Sequence, residues 1–168
     1  LGEISFMKVY AGEIVEAMDM VNGVNGSKER VSQLFAVAGK KREKLEKACA
    51  GDIVATIKLK NVRTNHTLNS PKNSGDEIVP IEFPAPKITM AIRAKNTADD
   101  EKLGVALTEI QKVDPTISVE YSKELKQIII RGQGELHLNI AKWIIEHLDK
   151  IAIEYYAPKI PYRETITK

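Results

Sequence analysis

The sequence has 168 residues, 43% of them hydrophobic, which is enough for one large or two small domains with a buried core. Lysine and arginine number 25 against 23 acids, so a net charge of +2 names no partner by itself, and any nucleic-acid contact has to come from local patches. A single cysteine, Cys49, excludes an internal disulfide framework and a cysteine-built zinc site, and it suits a reducing compartment. With no histidine beside it, Cys49 is expected to be a small buried side chain, not a catalytic thiol. No apolar run approaches a membrane span and no signal peptide is recognisable, so a cytoplasmic chain with no membrane partner is expected. The first residue is Leu1, not methionine, so a piece of something longer is expected as well.

Residues 1–82 read as short strands. Residues 4–10 alternate, with Ile4 and Phe6 opposed to Ser5, Met7 and Val9, and Ala11-Gly12 turns the chain. A second strand follows over 13–21, and Asn22-Gly23-Val24-Asn25-Gly26 offers the residue types of a loop with positive φ. A third strand is predicted over 31–37, then a charged connection over 39–47, a Gly51-Asp52 turn and a strand over 53–59. Strands this close together, broken by glycine and charge, predict a small antiparallel β-barrel. Its first strand opens at the start of the sequence, so a further strand ahead of it is expected.

Residues 69–75 are polar and turn-rich, and Phe83-Pro84-Ala85-Pro86 then fixes two φ angles and denies helix to the residues before each proline. A linker over 83–87 therefore separates two domains, and the pattern beyond it differs. A strand over 88–94 leads to Thr97, an N-cap with Asp100 three residues on, and to a helix ending at Val113 in which Leu103, Ala106, Leu107 and Ile110 share a face. Asp114-Pro115-Thr116 stops it. Residues 117–122 and 127–131 form a hairpin, a helix opens at Glu135, and a last strand covers 151–156. The order β-α-β-β-α-β is the ferredoxin-like plan over 88–160, and 161–168 begins a connection to a following domain. The fold class is thus α+β, a β-barrel followed by a ferredoxin-like sandwich.

In the second helix Glu135, Asn139, Lys142, Glu146 and Asp149 fall on the water side, and Leu136, Ile140, Trp143, Ile144, Ile145 and Leu148 form a wide apolar stripe suited to lying on a sheet. Ahead of it, Gly132 and Gly134 supply the backbone freedom for an abrupt turn. Glycines before a helix N-terminus can also cradle a phosphate. Here the signal is weak, since His137 stands where a third glycine would be needed, no Gly-Lys-Ser/Thr follows, and Glu135 already places a carboxylate at the positive helix end. The tight turn is preferred.

Gly132-Gln133-Gly134-Glu135-Leu136-His137-Leu138 resembles the Gly-x-Gly-Glu-Leu-His-Leu signature in the third domain of the translation elongation factor G family. Ala50-Gly51-Asp52-Ile53 resembles a turn of that family's second domain, Phe83-Pro84-Ala85-Pro86 its interdomain linker, Asp114-Pro115-Thr116 the end of its third-domain helix, and Tyr162-Arg163-Glu164-Thr165 the exit toward its fourth domain. Val9-Tyr10-Ala11-Gly12 and Lys28-Glu29-Arg30-Val31 fit as well. Together these cover nearly the whole sequence in the family's order. Two stretches depart from the pattern: Met18-Asp19, and Asn65-His66-Thr67-Leu68, both expected in turns, so a specialised paralogue is weighed beside the housekeeping translocase.

The resemblance implies domains II and III of a ribosome-dependent GTPase that moves transfer and messenger RNA, with ribosome-recycling and tetracycline-protection factors as alternatives. GTP and Mg belong to the parent. No P-loop occurs in these residues, so this stretch is expected to bind no cofactor or metal and to catalyse nothing. The implied partners are the ribosome, through its RNA and proteins, and the GTP-binding domain of the same chain, with the barrel on ribosomal RNA and the second domain acting as a moving strut. A monomer is expected.

Candidate RNA contacts are Lys40, Lys41, Arg42 and Lys44, in a basic run that continues to Lys47 and is interleaved with Glu43 and Glu46, and a smaller set at Lys60 and Arg63 with Lys58 beside them. Charge pattern alone leaves a solvated loop equally open. An RNA-stacking sheet in the second domain is rejected because residues 88–94 and 127–131 contain no aromatic. His137 is expected to be packed and locally hydrogen-bonded, and His66 and His147 make no metal spacing. An acylphosphatase-like enzyme would share the ferredoxin-like plan, but the glycine loop it needs after the first strand is replaced by Ala94-Lys95-Asn96-Thr97.

Overall fold

A computed structural model describes residues 3–73, 75–162 and 164, so the exit stretch Tyr162-Arg163-Glu164-Thr165 and the connection at 161–168 lie partly outside the described residues. The chain divides into two units, Leu1–Ile81 and Glu82–Lys168, each built around its own core.

The first unit is all strand. It contains β1 (Ile4–Lys8), β2 (Glu13–Val15), β3 (Met18–Asn22), β4 (Lys28–Val31), β5 (Leu34–Ala38), β6 (Lys41–Leu45), β7 (Lys47–Cys49), β8 (Ile53–Ile57) and β9 (Leu68–Asn69). They form antiparallel sheets in the orders β1-β8-β5-β6, β4-β3-β9 and β2-β7. The expected barrel is therefore not a closed one among the described residues: no hydrogen-bonded ladder joins the three sheets into a ring.

Each long predicted strand breaks for a local reason. Over 13–21, Ala17 adopts φ 62 and its N–H donates to Val31 O at 2.8 Å, so the chain turns there and leaves one sheet for another. Met18-Asp19 consequently opens β3 instead of lying in a turn. Over 31–37, Val31 and Leu34 are both fully buried, and an unbroken strand would point residues three apart to opposite faces. Ser32 and Gln33 form the break, with Ser32 Oγ donating to Ile57 O and Thr56 Oγ1 donating to Gln33 O at 2.8 Å. Residues 39–47, expected as a connection, carry β6 and the start of β7. Gly39 has positive φ and Lys40 does not, the pattern of a two-residue type II′ hairpin pairing Ala38 with Lys41. An edge strand in water needs no apolar alternation, so β6 left no periodic signal. In β7 only Ala48 is buried, and Cys49 is exposed, contrary to expectation. The core gathers Val9, Ile14, Met20, Val31, Leu34 and Val54.

The second unit follows the order β10 (Ile88–Ala94), α1 (Asp100–Val113), β11 (Ser118–Ser122), β12 (Gln127–Gly132), α2 (Glu135–His147) and β13 (Ile153–Tyr156). Its antiparallel sheet runs β11-β12-β10-β13. Both helices join one core with the sheet, Leu103 and Leu107 from α1 and Leu138 and Ile145 from α2 meeting Ile92 and Ile130. The cap before α1 is Asn96, one residue earlier than expected. Its Oδ1 accepts from Ala98 N at 3.2 Å, and Thr97–Asp99 form a 3-10 turn leading into the helix.

The apolar stripe of α2 is narrower than the sequence predicts. Leu138, Ala141 and Ile145 are buried, whereas Leu136, Ile140, Trp143 and Leu148 are exposed. A helix on a sheet can bury one arc, and here it is the arc spaced i, i+3, i+7. Gly132 and Gly134 differ from expectation too. Neither has positive φ, and Gly134 is extended at φ −176. Gly132 is instead a matter of space: a Cβ there would lie 2.8 Å from Leu138 Cδ2 and 3.2 Å from His137 Nδ1.

Candidate functional site

The pleat sorts the basic run. Across β5 and β6, Arg42 faces Val37 and Lys44 faces Phe35, so these two cations project to one side of the sheet, while Lys41 and Glu43 project to the other and Lys40 sits in the turn. Lys44 Nζ lies 2.9 Å from Glu16, and Lys47 Nζ lies 3.7 Å from Glu13. The sequence treated the run as one patch; the strand makes it two rows.

Lys60 and Arg63 sit in the loop after β8, a separate element. That loop is held from inside by Glu29 on β4, whose Oε2 accepts from Lys60 N at 3.1 Å and whose Oε1 accepts from Asn61 N at 2.8 Å. Buried Asn22 adds a second anchor, its Nδ2 donating to Asn61 O at 3.1 Å and meeting His66 Nδ1 at 2.9 Å. Arg63 N also donates to His66 Nδ1, at 3.3 Å. With two donors on Nδ1, the His66 proton resides on Nε2. In the sequence Glu29 stands only within Lys28-Glu29-Arg30-Val31, and nothing there marks it as the support of a loop about thirty residues away.

In the second unit the motif residues converge. His137 Nδ1 accepts from Gln133 N at 3.1 Å, which leaves its proton on Nε2, and Nε2 donates to Asp114 Oδ2 at 2.8 Å. The other carboxylate oxygen accepts from Thr116 N at 2.8 Å and Thr116 Oγ1 at 2.6 Å. Burial pushes the Asp114 carboxyl up, but the Thr116 hydroxyl and N–H, together with His137, outweigh it and hold the group below the ordinary value. Gln133 Nε2 reaches Pro84 O at 2.8 Å, and Lys87 N donates to Gly132 O at 2.8 Å. The linker, the end of α1 and the turn before α2 thus share one network.

Within the remaining signature residues, Leu138 enters the core, Leu136 points to solvent, and Glu135 lies in the first turn of α2. Tyr155 closes the helix from below, its hydroxyl donating to Leu138 O at 2.8 Å, and burial with the nearby Glu146 charge pushes its pKa up to about 12. Between α1 and α2 a groove of about 370 Å³ is lined by Ile110, Val113, Ile140, Ile144 and Leu148 with His137 at its margin. Among the described residues no group of three or more His, Cys, Asp or Glu is placed to hold a metal ion, and no helix is long and apolar enough to cross a membrane.

Comparison with known proteins gives both units the same relatives. The family model "Elongation factor G domain 2" matches residues 1–71, and "Elongation Factor G, domain III" matches residues 83–156. Elongation factor G 1 of Synechocystis sp. is 40% identical over 167 residues, covering 99% of this chain and 24% of the relative. Elongation factor G 2 of Trichodesmium erythraeum is 39% identical and elongation factor G 2 of Vibrio vulnificus 36% identical, each with the same coverage. A crystal structure from Thermus thermophilus superposes with a TM-score of 0.80 at 26% identity, over 98% of this chain and 25% of that one. The chain therefore spans about a quarter of the length of the relatives it matches.

Proposed function

Because the chain belongs to the elongation factor G family, through that family's second and third domains, we propose that it is the non-catalytic middle of a ribosomal translocation GTPase. It binds the ribosome and couples the state of a GTP-binding domain to movement of transfer and messenger RNA in the cytoplasm. The observation that carries this is the pair of matches in family order over nearly the whole chain, at up to 40% identity to curated relatives. GTP and Mg are bound by another part of the parent protein, since these residues contain no Gly-x-x-x-x-Gly-Lys-Ser/Thr.

We read residues 1–82 as the barrel-type second domain and 88–160 as a ferredoxin-like third domain, joined by 83–87 and leaving through 161–168. The order β11-β12-β10-β13 with both helices in one core supports the second assignment. In this role Lys40, Lys41, Arg42, Lys44, Lys60 and Arg63 contact ribosomal RNA phosphates, and the network of Pro84, Asp114, Gln133 and His137 keeps the third domain rigid while its interfaces change. Reversing charge at Lys41, Arg42 and Lys44 in the intact factor is expected to weaken ribosome binding and flatten its salt dependence. Unchanged binding across a salt series would remove that patch from the contact.

A further inference from the structure

We propose that the outward face of the β1-β8-β5-β6 sheet binds an unpaired RNA segment, with bases against Phe6 and Phe35 and phosphates on Arg42 and Lys44. This rests on the ribosomal RNA role above and deepens it, naming the face and the kind of RNA.

The register defines the face. Phe6 pairs with Ala55, Ala55 with Phe35, and Phe35 with Lys44, so these four form one row across the sheet. The neighbouring row on the same face holds Lys8 opposite Ile53 in β1-β8, and Val37 opposite Arg42 in β5-β6. The opposite face carries Leu34, Val54 and Met7 into the core, so the Phe6 row looks outward. Phe6 is 64% exposed and Ile53 66%, although β1 and β8 are both paired strands. Ala55, lying between the two phenylalanines, is nevertheless buried.

Apolar side chains at solvent ask for a covering surface, and the charges around them say which kind. The strand positions of this face include Lys8, Arg42 and Lys44 and no aspartate or glutamate. One acid, Glu16 from outside the sheet, reaches Lys44. Lys8 Nζ stands 5.6 Å from the ring of Tyr10, which is itself exposed, adding an aromatic at the margin. A cation-bordered sheet face with outward aromatics matches a strand of bases and phosphates, because rings stack on any base and long cations track the backbone. A duplex hides its bases and would use the cations alone. The second unit differs in its charges: on the helix-free face of its sheet Arg93 lies 5.2 Å from the Tyr156 ring, but Arg93 pairs with Glu154 and Arg131 pairs with Glu120 at 2.8 Å, both acids of that same sheet.

The test titrates the 168-residue chain into a fluorescein-labelled ten-nucleotide oligouridine, and separately into an RNA duplex of equal length, across a salt series. Single strand is expected to bind more tightly than duplex, and Phe6→Ala to weaken it by about tenfold. Arg42→Ala and Lys44→Ala should each lower the salt slope by about 0.7, with Lys28→Ala, on β4 in another sheet of the same unit, changing it less. Phe6 lies at the surface, so its replacement leaves the core intact, and Phe6→Tyr should restore binding. Equal affinity for duplex, no single-strand binding at low salt, or indifference to Phe6→Ala overturns the proposal. Concentration-dependent dimerisation abolished by Phe6→Asp would also overturn it, assigning the face to a second copy. If charge reversal at Lys41, Arg42 and Lys44 weakens ribosome binding of the intact factor while Phe6→Ala does not, stacking fails and the phosphate contact stands.

Discussion

The two units solve the same problem by different means. The second wraps a continuous apolar core between two helices and one sheet, with Ile92, Leu103, Leu107, Ile130, Leu138 and Ile145 all almost fully buried. The first splits its strands among three sheets around fewer apolar side chains, and it buries Asn22, Glu29 and Thr56 with them. Those polar groups each satisfy backbone atoms where the chain leaves one sheet for another. Where strands are short and turn often, hydrogen bonds to loops replace area that a helix would have covered.

The contrast predicts unequal responses to deletion. Leu107→Ala should cost about 2–5 kcal/mol in the second unit, read in denaturant by the emission of Trp143, the sole tryptophan and a resident of that unit. A loss below this range would mean the core there is looser than its burial implies. In the first unit Glu29→Ala should cost about 1–3 kcal/mol by stranding the N–H groups of Lys60 and Asn61. Faster amide exchange confined to the 58–66 loop would support this, and unaltered protection would contradict it. Gly132→Ala should also cost about 1–3 kcal/mol, because the new methyl meets Leu138 inside a filled core, and thermal denaturation of the variant measures it directly.

The smallest expected effect is pH-dependent. Asp114 has its carboxyl lowered from 3.8 in the folded chain, so its contribution is fully present above that value and is lost as pH falls through the lower folded value. Asp114→Asn should therefore destabilise the second unit by about 1 kcal/mol at neutral pH, and its unfolding curve should converge with that of the parent on acidification. A constant difference down to about pH 2 would place the effect in packing and not in the charge.

How much was legible in the sequence follows the same division. In the second unit, periodicity located each element, because long apolar runs such as Ile128-Ile129-Ile130 and the spacing of Leu103, Ala106, Leu107 and Ile110 reach their partners directly. In the first unit the breaks at Ala17 and Ser32-Gln33 were invisible, since neither position holds a glycine or proline and the turn depends on bonds to Val31 and Ile57. The candidate cations were found by composition, but their division into two rows needed the β6 register. The signature around His137 was found as a string; its tie to Asp114, twenty-three residues earlier, is a through-space fact.

The edge position of β6 has a consequence for solution behaviour. Among the described residues β6 ends its sheet, leaving a row of backbone donors and acceptors that could template a second molecule. If two such edges met in register and parallel, every charge of Lys41-Arg42-Glu43-Lys44 would confront its own copy. If they met antiparallel about Glu43, that glutamate would oppose itself and Arg42 would oppose Lys44. Like charges directly across a ladder repel, so Lys41, Arg42, Glu43 and Lys44 keep this edge from zipping to its own kind.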